Sequence, residues 1–164
     1  MANVLNVSHF RQITDGYCLA VCAQMALNYL GAPVVQEELA RRLGVRPHIG
    51  APSSRLLRLR SATLDVVYAD GDLYDLLAWL EAGMPVIVFV QVDQLPYWHG
   101  QHFQHALLLT GSDAEWLYLL DPAADPAPIA ISHGDFLLAW DEMECVYAVI
   151  RKRGELPLNV LPDL

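Results

Sequence analysis

The sequence predicts an α+β fold built as a single domain over residues 1–164. Segments with helical periodicity dominate the first half of the chain, and runs of β-branched residues separated by turns dominate the second half. Apolar residues make up 54% of the chain and charged residues only 18%. A chain of this length and composition can bury a substantial core, and no linker or low-complexity tract divides it.

The first predicted helix, residues 15–30, is almost wholly apolar. Asp15 is a suitable N-cap for it, and Gly31 is a suitable stop. Gln24 and Asn28 are the only clearly polar residues within it, so we expect the fold to enclose this helix on most sides.

Further helices follow along the chain. Residues 35–43 predict a surface helix that ends at Gly44, and residues 53–61 predict a short helix. The segment "DGDLYDLLAWLEAG" places four leucines on one helical face and ends at Gly83. The segment "SHGDFLLAW" predicts a last helix with Ser132 as its cap.

The predicted strands belong to an antiparallel sheet. "LDVVYA" and "MPVIVFVQV" predict two strands, the second of them buried because of its β-branched composition. "HALLLTG" and "WLYLLDP" flank the turn "GSDAE" and predict a hairpin, and "CVYAVI" predicts the last strand.

The hairpin brings two polar side chains together. If it closes symmetrically about Asp113, Thr110 faces Trp116 and His105 faces Asp121. Directly opposed residues share a face, with Cβ atoms about 4.5–5.5 Å apart. This register, which assumes a five-residue turn, predicts an imidazole and a carboxylate within hydrogen-bonding reach at the open end of the hairpin.

Cys18 is a candidate nucleophile because it falls in the first turn of the predicted helix. Unpaired N–H groups at a helix start stabilise a thiolate, and a cysteine nucleophile also needs a base whose other nitrogen is oriented by a third group. Cys22, one turn deeper, and Cys145, before the last strand, are expected to be core residues. Three cysteines with this spacing do not indicate a disulfide framework.

Gln12 lies six residues before Cys18, in the segment that leads into the helix. Its amide N–H could reach across the helix start toward an oxyanion forming at the thiol. A single glutamine in a loop is ordinarily a solvated surface residue, so this assignment depends on the other three residues being arranged as predicted.

These residues together resemble a known family. "RQITDGYCLAVCAQMALNYLG" and "HALLLTGSDAEWLYLLDP" resemble the papain-like cysteine peptidases that process bacteriocin leaders after a double glycine, cysteine-peptidase family 39 and its stand-alone relatives. The resemblance covers residues 12–150. It implies a papain-like α+β fold, in which the helix of the nucleophile packs on an antiparallel sheet.

The resemblance also implies a role for each candidate residue. Cys18 would be the nucleophile, His105 the general base and then acid, Asp121 the residue that orients it, and Gln12 the oxyanion donor. The expected function is cleavage of a peptide or amide bond through a thioester, with a peptide or protein as substrate. Leu19 stands where the family commonly has glycine, so we expect bulk close to the nucleophile.

Composition excludes two classes of partner. The net charge is −9, from 10 Lys and Arg against 19 Asp and Glu, and this excludes nucleic acid. The residue pattern of "VVQEELARRLGV" is similar to the first helix and turn of a helix-turn-helix DNA-binding motif. No basic recognition helix follows it. The chain has no run of about 20 apolar residues and no signal-like start, so we expect a cytoplasmic protein that spans no membrane.

"HGQHFQH" allows an alternative interpretation as a metal centre. His99, His102 and His105 would share one face of a helix. On the predicted strand, however, His102 and His105 point to opposite sides, and Pro96 and Gly100 favour a loop. We therefore expect neither a metal nor another cofactor.

Two further alternatives stay open. The chain could be a non-catalytic peptide-binding domain, in which Tyr97 and Trp98 form the lip of a groove rather than cover the edge of the core. Among enzymes, the same residues suit peptide hydrolysis, isopeptide cleavage, deamidation or acyl transfer, since all proceed through a thioester at the cysteine. The sequence does not indicate the oligomeric state.

Overall fold

A computed structural model describes residues 2–125 and 127–154 and has the α+β architecture that the sequence predicts. The strands are β1 (Asn3–Val4), β2 (Leu64–Asp70), β3 (Val86–Gln91), β4 (Gln104–Ser112), β5 (Trp116–Leu120), β6 (Ile129–Ser132) and β7 (Val146–Lys152). The α-helices are α1 (Cys18–Tyr29), α2 (Gln36–Leu43), α3 (Leu73–Glu81) and α4 (His133–Asp141). Three 3-10 segments occupy Ser53–Leu59, Val92–Gln94 and Pro96–Trp98.

The strands form one antiparallel sheet in the order β2-β7-β3-β4-β5-β6, and β1 pairs with the far end of β4. β7, the last strand of the described chain, therefore lies between β2 and β3. The short strands β1 and β6 were not predicted, because two and four residues carry too little alternation to be recognised.

Each face of the sheet covers a separate core. On one face, α1 packs over a cluster that includes Phe89, Ala106 and Leu108. On the other face, α3 and α4 pack over a cluster that includes Val88 and Leu107. Consecutive residues of a strand therefore belong to different cores, and both faces of the central strands are apolar.

The start of α1 differs from the prediction. Asp15 is not the N-cap: the helix begins at Cys18, and Tyr17 occupies the cap position without a side-chain hydrogen bond. The reason is Gly16, whose φ of +90° bends the chain away from the helix axis. A Cβ there would lie 2.9 Å from the backbone nitrogen of His48, so only glycine fits this approach.

The hairpin register is also different. Leu108 lies opposite Leu120, whereas the predicted register would set it opposite Tyr118, and a bulge interrupts the ladder between Leu109 and Gly111. The predicted pairs of Thr110 with Trp116 and of His105 with Asp121 are therefore wrong as directly opposed pairs.

The turn explains the difference. The Asp113 side chain accepts hydrogen bonds from the N–H groups of Glu115 and Trp116, and the Asp113 N–H donates to the carbonyl of Trp116. The loop is therefore tighter than assumed, and the bulge absorbs one residue. Beyond the bulge the register is displaced by two residues, an even number, so His105 and Asp121 still share a face.

The other helix ends follow their local signals. Asp72 caps α3 in a capping box with Asp75, and Ser132 caps α4 by accepting from the N–H of Asp135. Gly44 ends α2 with a φ of +65°. Within the described ranges, no helix combines the length and the apolar character that crossing a bilayer requires.

The three cysteines differ in environment. All three are free thiols; Cys22 is buried, as predicted, and Cys18 is partly buried. Cys145 is only partly buried and packs against the edge of the core under α3 and α4, so it is a boundary residue and not an interior one. It stands at a turn with a φ of +54°, immediately before β7, where a side chain reaches the surface.

Candidate active site

An imidazole and a carboxylate meet at the start of β4. Nε2 of His105 donates to Oδ1 of Asp121 at 2.6 Å. His105 is 6% exposed and Asp121 is 0% exposed. The sequence-predicted contact is therefore present, although Asp121 lies just past the end of β5 and is not paired across the ladder.

Asp121 accepts hydrogen bonds on both oxygens. Oδ1 also accepts from the N–H of Ala123 at 2.8 Å, while Oδ2 accepts from the hydroxyl of Tyr97 at 2.7 Å and from Nε1 of Trp98 at 3.1 Å. Burial alone would raise the pKa of Asp121, but the hydrogen bond and charge of His105, with the hydrogen bonds from Tyr97 and from the backbone of Ala123, bring the pKa below its usual value. The carboxylate is therefore held ionised and fixed in orientation.

Aromatic rings surround the imidazole. Trp98 and Phe103 approach His105 edge-on, with centroid distances of 5.7 Å and 5.5 Å. Burial acts to lower the pKa of His105, but the hydrogen bonds and charges of Asp121 and Cys18 raise it to about 9. His105 is therefore favoured as an imidazolium at neutral pH.

The thiol of Cys18 borders the same cavity as this imidazole, and its pKa responds to it. Burial acts to raise the pKa of the thiol, but the hydrogen bond and charge of His105 lower it below the ordinary value, with smaller contributions from the backbone of Ala106 and Leu19. Because Nε2 of His105 is bonded to Asp121, Nδ1 is the ring nitrogen left for the sulfur. A thiolate and an imidazolium therefore stabilise each other here.

The oxyanion candidate, Gln12, borders the same cavity as Cys18. Its backbone N–H donates to the carbonyl of Pro122 at 2.9 Å, which ties it to the loop that follows Asp121. Its side-chain oxygen is buried without a hydrogen-bond partner among the described residues. Gln12 therefore lies at the cavity that Cys18 borders, and its amide oxygen makes no hydrogen bond to another described residue.

Gln36, a buried residue that the sequence did not single out, holds the segment around Gln12. Its Oε1 accepts from the N–H of Ile13 at 2.9 Å, and its Nε2 donates to the carbonyl of Arg11 at 3.0 Å. Nε2 also lies 3.2 Å from Oε1 of Gln24 on α1. One side chain, 5% exposed, therefore fixes the backbone on both sides of Gln12 against the helix of the nucleophile.

The site opens into a cavity of about 1150 Å³ that the side chains of Gln12, Cys18 and His105 border. Leu19 also borders it but is 3% exposed and packs in the core, so its bulk is directed mainly into the protein. Ile13 and Ile49 form an exposed rim, at 60% and 70% exposure.

The three histidines of "HGQHFQH" do not converge. Nδ1 of His102 lies 3.3 Å from Asp93, His105 is bonded to Asp121, and His99 occupies a turn with a φ of +51°. In the two described stretches, no group of three or more His, Cys, Asp or Glu side chains is arranged to hold a metal ion.

Sequence reasoning missed two supports of this site. Tyr97 and Trp98 pack against the core, one of the two roles that the sequence allows, and both also donate to Asp121, which the sequence does not predict. No sequence pattern indicates that Gln36 is buried, because a glutamine at the start of a predicted surface helix is expected to be exposed. Its position two residues after Val34 gave no indication of its three contacts.

Comparison with known proteins gives a family match. A model of the "Peptidase_C39 like family" matches residues 4–148. No curated protein matches the chain.

Solved structures share the fold. A Bacillus anthracis protein described as a C39-like peptidase has a TM-score of 0.74 and 18% identity, covering 92% of this chain and 98% of its own. A double glycine motif protease from an AMS/PCAT transporter, solved with its leader peptide, has a TM-score of 0.70 and 18% identity over 92% of this chain and 94% of its own. The peptidase domain of Streptococcus ComA, a bifunctional ABC transporter of a quorum-sensing pathway, has a TM-score of 0.70 and 16% identity over 87% and 96%.

Proposed function

Because the chain belongs to the Peptidase_C39 like family, whose fold is that of papain-like cysteine peptidases, we propose that it cleaves a peptide or amide bond through a Cys18-His105-Asp121 triad. The observation that carries the proposal is the buried hydrogen bond between Asp121 and His105 at the edge of a cavity that Cys18 and His105 both border, where the imidazole lowers the pKa of the thiol. Such a series is what a cysteine nucleophile requires.

The first half of the reaction would form a thioester. The thiolate of Cys18 attacks the carbonyl carbon, and the oxygen becomes an oxyanion that the side-chain amide of Gln12 and the N–H groups at the start of α1 would stabilise. The C–N bond then breaks as Nδ1 of His105 donates its proton to the leaving amine. Asp121 keeps the imidazole oriented throughout.

The second half would release the acyl group. His105, now neutral, takes a proton from the incoming water while the water oxygen attacks the thioester carbon. The C–S bond breaks, and the thiolate and imidazolium are restored. An amine in place of water would give acyl transfer by the same steps.

The substrate we propose is a peptide or protein segment. Support comes from the cavity of about 1150 Å³, which exceeds what one side chain fills, and from the neighbour that was solved with a leader peptide. The exposed isoleucines at the cavity rim also suit contact with a peptide chain.

The test is Cys18-dependent cleavage of a peptide library, read by mass spectrometry. Wild type should generate new termini, and Cys18→Ala should generate none. Cys22→Ala is the matched control, since it removes a thiol from the same helix and should retain activity. If wild type and Cys18→Ala bind the same peptides but neither cleaves them, the non-catalytic peptide-binding alternative replaces this proposal.

A further inference from the structure

The chain between β1 and α1 lies along the β4–β5 hairpin. The N–H of Leu5 donates to the carbonyl of Thr110, beside the bulge of β4, at 2.7 Å. Farther along, the N–H of Gln12 donates to the carbonyl of Pro122 at 2.9 Å. Residues 5–12, which we call the N-terminal arm, therefore extend from the bulge of the hairpin to the loop that follows β5.

His9 is the residue of the N-terminal arm whose side chain contacts Asp121. Its Nε2 lies 2.7 Å from the backbone carbonyl oxygen of Asp121. The side chain of His9 is 15% exposed and that of Asp121 is 0% exposed, so water competes little for this bond. Because a carbonyl oxygen only accepts, Nε2 carries the hydrogen, as it does in one neutral tautomer and in the imidazolium. The bond therefore does not depend on the charge of His9.

The bond from His9 adds a restraint on the backbone of Asp121. The donors described above act on the carboxylate, whereas the carbonyl lies just past Leu120, the last residue of β5. This carbonyl accepts from the N–H of Ala124 within the loop at 3.3 Å and from His9 at 2.7 Å. His9 makes the shorter of these two bonds, and it joins the carbonyl to a separate segment of the chain.

The other side-chain contacts between the N-terminal arm and this loop are exposed. The guanidinium of Arg11 pairs with Asp125 and lies 3.4 Å from the carbonyl of Ala123. The side chains of Arg11 and Asp125 are 55% and 56% exposed, and Oδ1 of Asp125 lies 3.7 Å from Nδ1 of His9. Exposed ion pairs contribute little to stability. The bond of His9 to Asp121 is therefore the buried side-chain connection between the arm and the loop.

We propose that His9 is a positioning residue: by holding the backbone of Asp121, it sets the place from which the carboxylate orients His105. The N-terminal arm also carries Gln12, so one segment positions the carboxylate and the oxyanion donor relative to each other. This inference rests on the proposed triad. A misplacement of 1 Å can lower a rate about 100-fold, and we expect about tenfold here because other bonds to Asp121 remain.

The first experiment removes the donor and then restores it. In His9→Leu, which has no donor, kcat for a cleaved peptide should fall about tenfold. KM should stay within about twofold of wild type, because His9 lies outside the described lining of the cavity. In His9→Gln, whose Nε2 can take the place of the ring nitrogen, kcat should return to within about threefold of wild type.

The second experiment needs no substrate. The rate at which iodoacetamide alkylates Cys18 is measured against pH by peptide mapping. His105 lowers the pKa of Cys18, and a displaced carboxylate would weaken that effect. The midpoint of the alkylation curve in His9→Leu should therefore move upward by at least about half a pH unit, which is about a threefold loss of thiolate below the midpoint. A purely structural role of His9 would lower the free energy of unfolding and leave the midpoint unchanged.

Asp125→Asn is the matched control. It weakens the exposed ion pairs of the N-terminal arm and leaves the bond between His9 and Asp121 in place. Both kcat and the alkylation midpoint should match wild type. If urea unfolding shows that His9→Leu does not fold, His9→Asn replaces it, because its shorter amide cannot reach the carbonyl and should cause the same losses.

The outcomes separate this inference from the proposed function. An unchanged kcat and midpoint in a folded His9→Leu protein, or equal losses in His9→Leu, His9→Gln and Asp125→Asn, would overturn the role of His9 alone. If wild type cleaves no peptide but the midpoint moves in His9→Leu and returns in His9→Gln, His9 keeps its role and the proposed cleavage fails. If iodoacetamide does not prefer Cys18 in wild type, both proposals fail.

Discussion

Cys18 and Cys22 stand one turn apart on the same helix, and their surroundings give them opposite chemistry. His105 lowers the pKa of Cys18 despite its burial. Cys22 is 0% exposed, and burial, with the charges of Cys18 and Asp121, raises its pKa well above the ordinary value. Position on a helix therefore does not determine the reactivity of a thiol; what decides it is whether a cationic partner meets the sulfur.

The comparison predicts that His105→Ala converts Cys18 into a thiol like Cys22. Turnover should be abolished with the fold intact. Alkylation of Cys18 by iodoacetamide at pH 7 should fall by at least roughly 30-fold, because a thiol of ordinary pKa is only a few per cent ionised there and burial raises the pKa of Cys18 further. Peptide mapping of the alkylated protein measures each cysteine separately. Rapid labelling of Cys18 in this variant would show that the helix start, and not His105, activates the sulfur.

Asp121→Asn tests whether the carboxylate acts through the histidine. The amide cannot compensate the imidazolium, so turnover should fall by about a hundredfold or more, yet stay measurable because the nucleophile and its base remain. Residual kcat/KM against a cleaved peptide is the measurement. Wild-type turnover in a variant that folds normally would remove Asp121 from the site.

The pH dependence of kcat/KM in the wild-type protein should reveal the ionisation of both Cys18 and His105. Because the pKa of Cys18 is lowered and that of His105 is raised to about 9, the ion pair exists between the two values. We expect kcat/KM to rise as Cys18 ionises and to fall about tenfold per pH unit above about 9 as His105 loses its proton. In Asp121→Asn the alkaline fall should move toward pH 6.5, the ordinary pKa of histidine; an unmoved alkaline limb would contradict the assignment.

Gln36→Leu should separate the oxyanion donor from the nucleophile. Loss of the bonds to Arg11 and Ile13 frees the segment of Gln12, so kcat should fall about tenfold while the alkylation rate of Cys18 stays unchanged. Gln24→Leu is the control, because it removes only the bond that does not touch this segment. Equal losses in the two variants would indicate a general effect on packing, which urea unfolding would also reveal.

Cys22→Ala should have the smallest effect. It removes a buried sulfur from the core under α1, so the free energy of unfolding should fall by about 1 kcal/mol while turnover stays within about twofold of wild type. Chemical denaturation and peptide cleavage measure the two quantities. A large loss of turnover in a folded protein would mean that the second thiol takes part in the chemistry.

Much of the fold could be predicted because its signals are local. The periodicity of "CLAVCAQMALNY", the caps Asp72 and Ser132, and the β-branched run of β3 each depend on a few neighbouring residues. The meeting of His105 and Asp121 could also be expected, since the hairpin that joins them is short. The two side chains share a face even though the predicted register was wrong, because the observed register differs from it by two residues, an even number.

The rest depends on contacts between distant segments. The cap of α1 was mispredicted because Gly16 bends toward residues 48–50, which no local pattern indicates. The bonds of Gln36 to residues 11 and 13, and those of Tyr97 and Trp98 to Asp121, likewise join segments that only the folded chain brings together.

The central position of β7 has a consequence for the timing of activity. Of the described strands, β7 is made last; it inserts between β2 and β3, and β3 in turn supports β4, which carries His105. A growing polypeptide on the ribosome therefore holds its sulfur long before the sheet beneath the histidine can be completed. We expect such nascent chains to be latent, and a chain stopped before residue 146 should show no selective alkylation of Cys18.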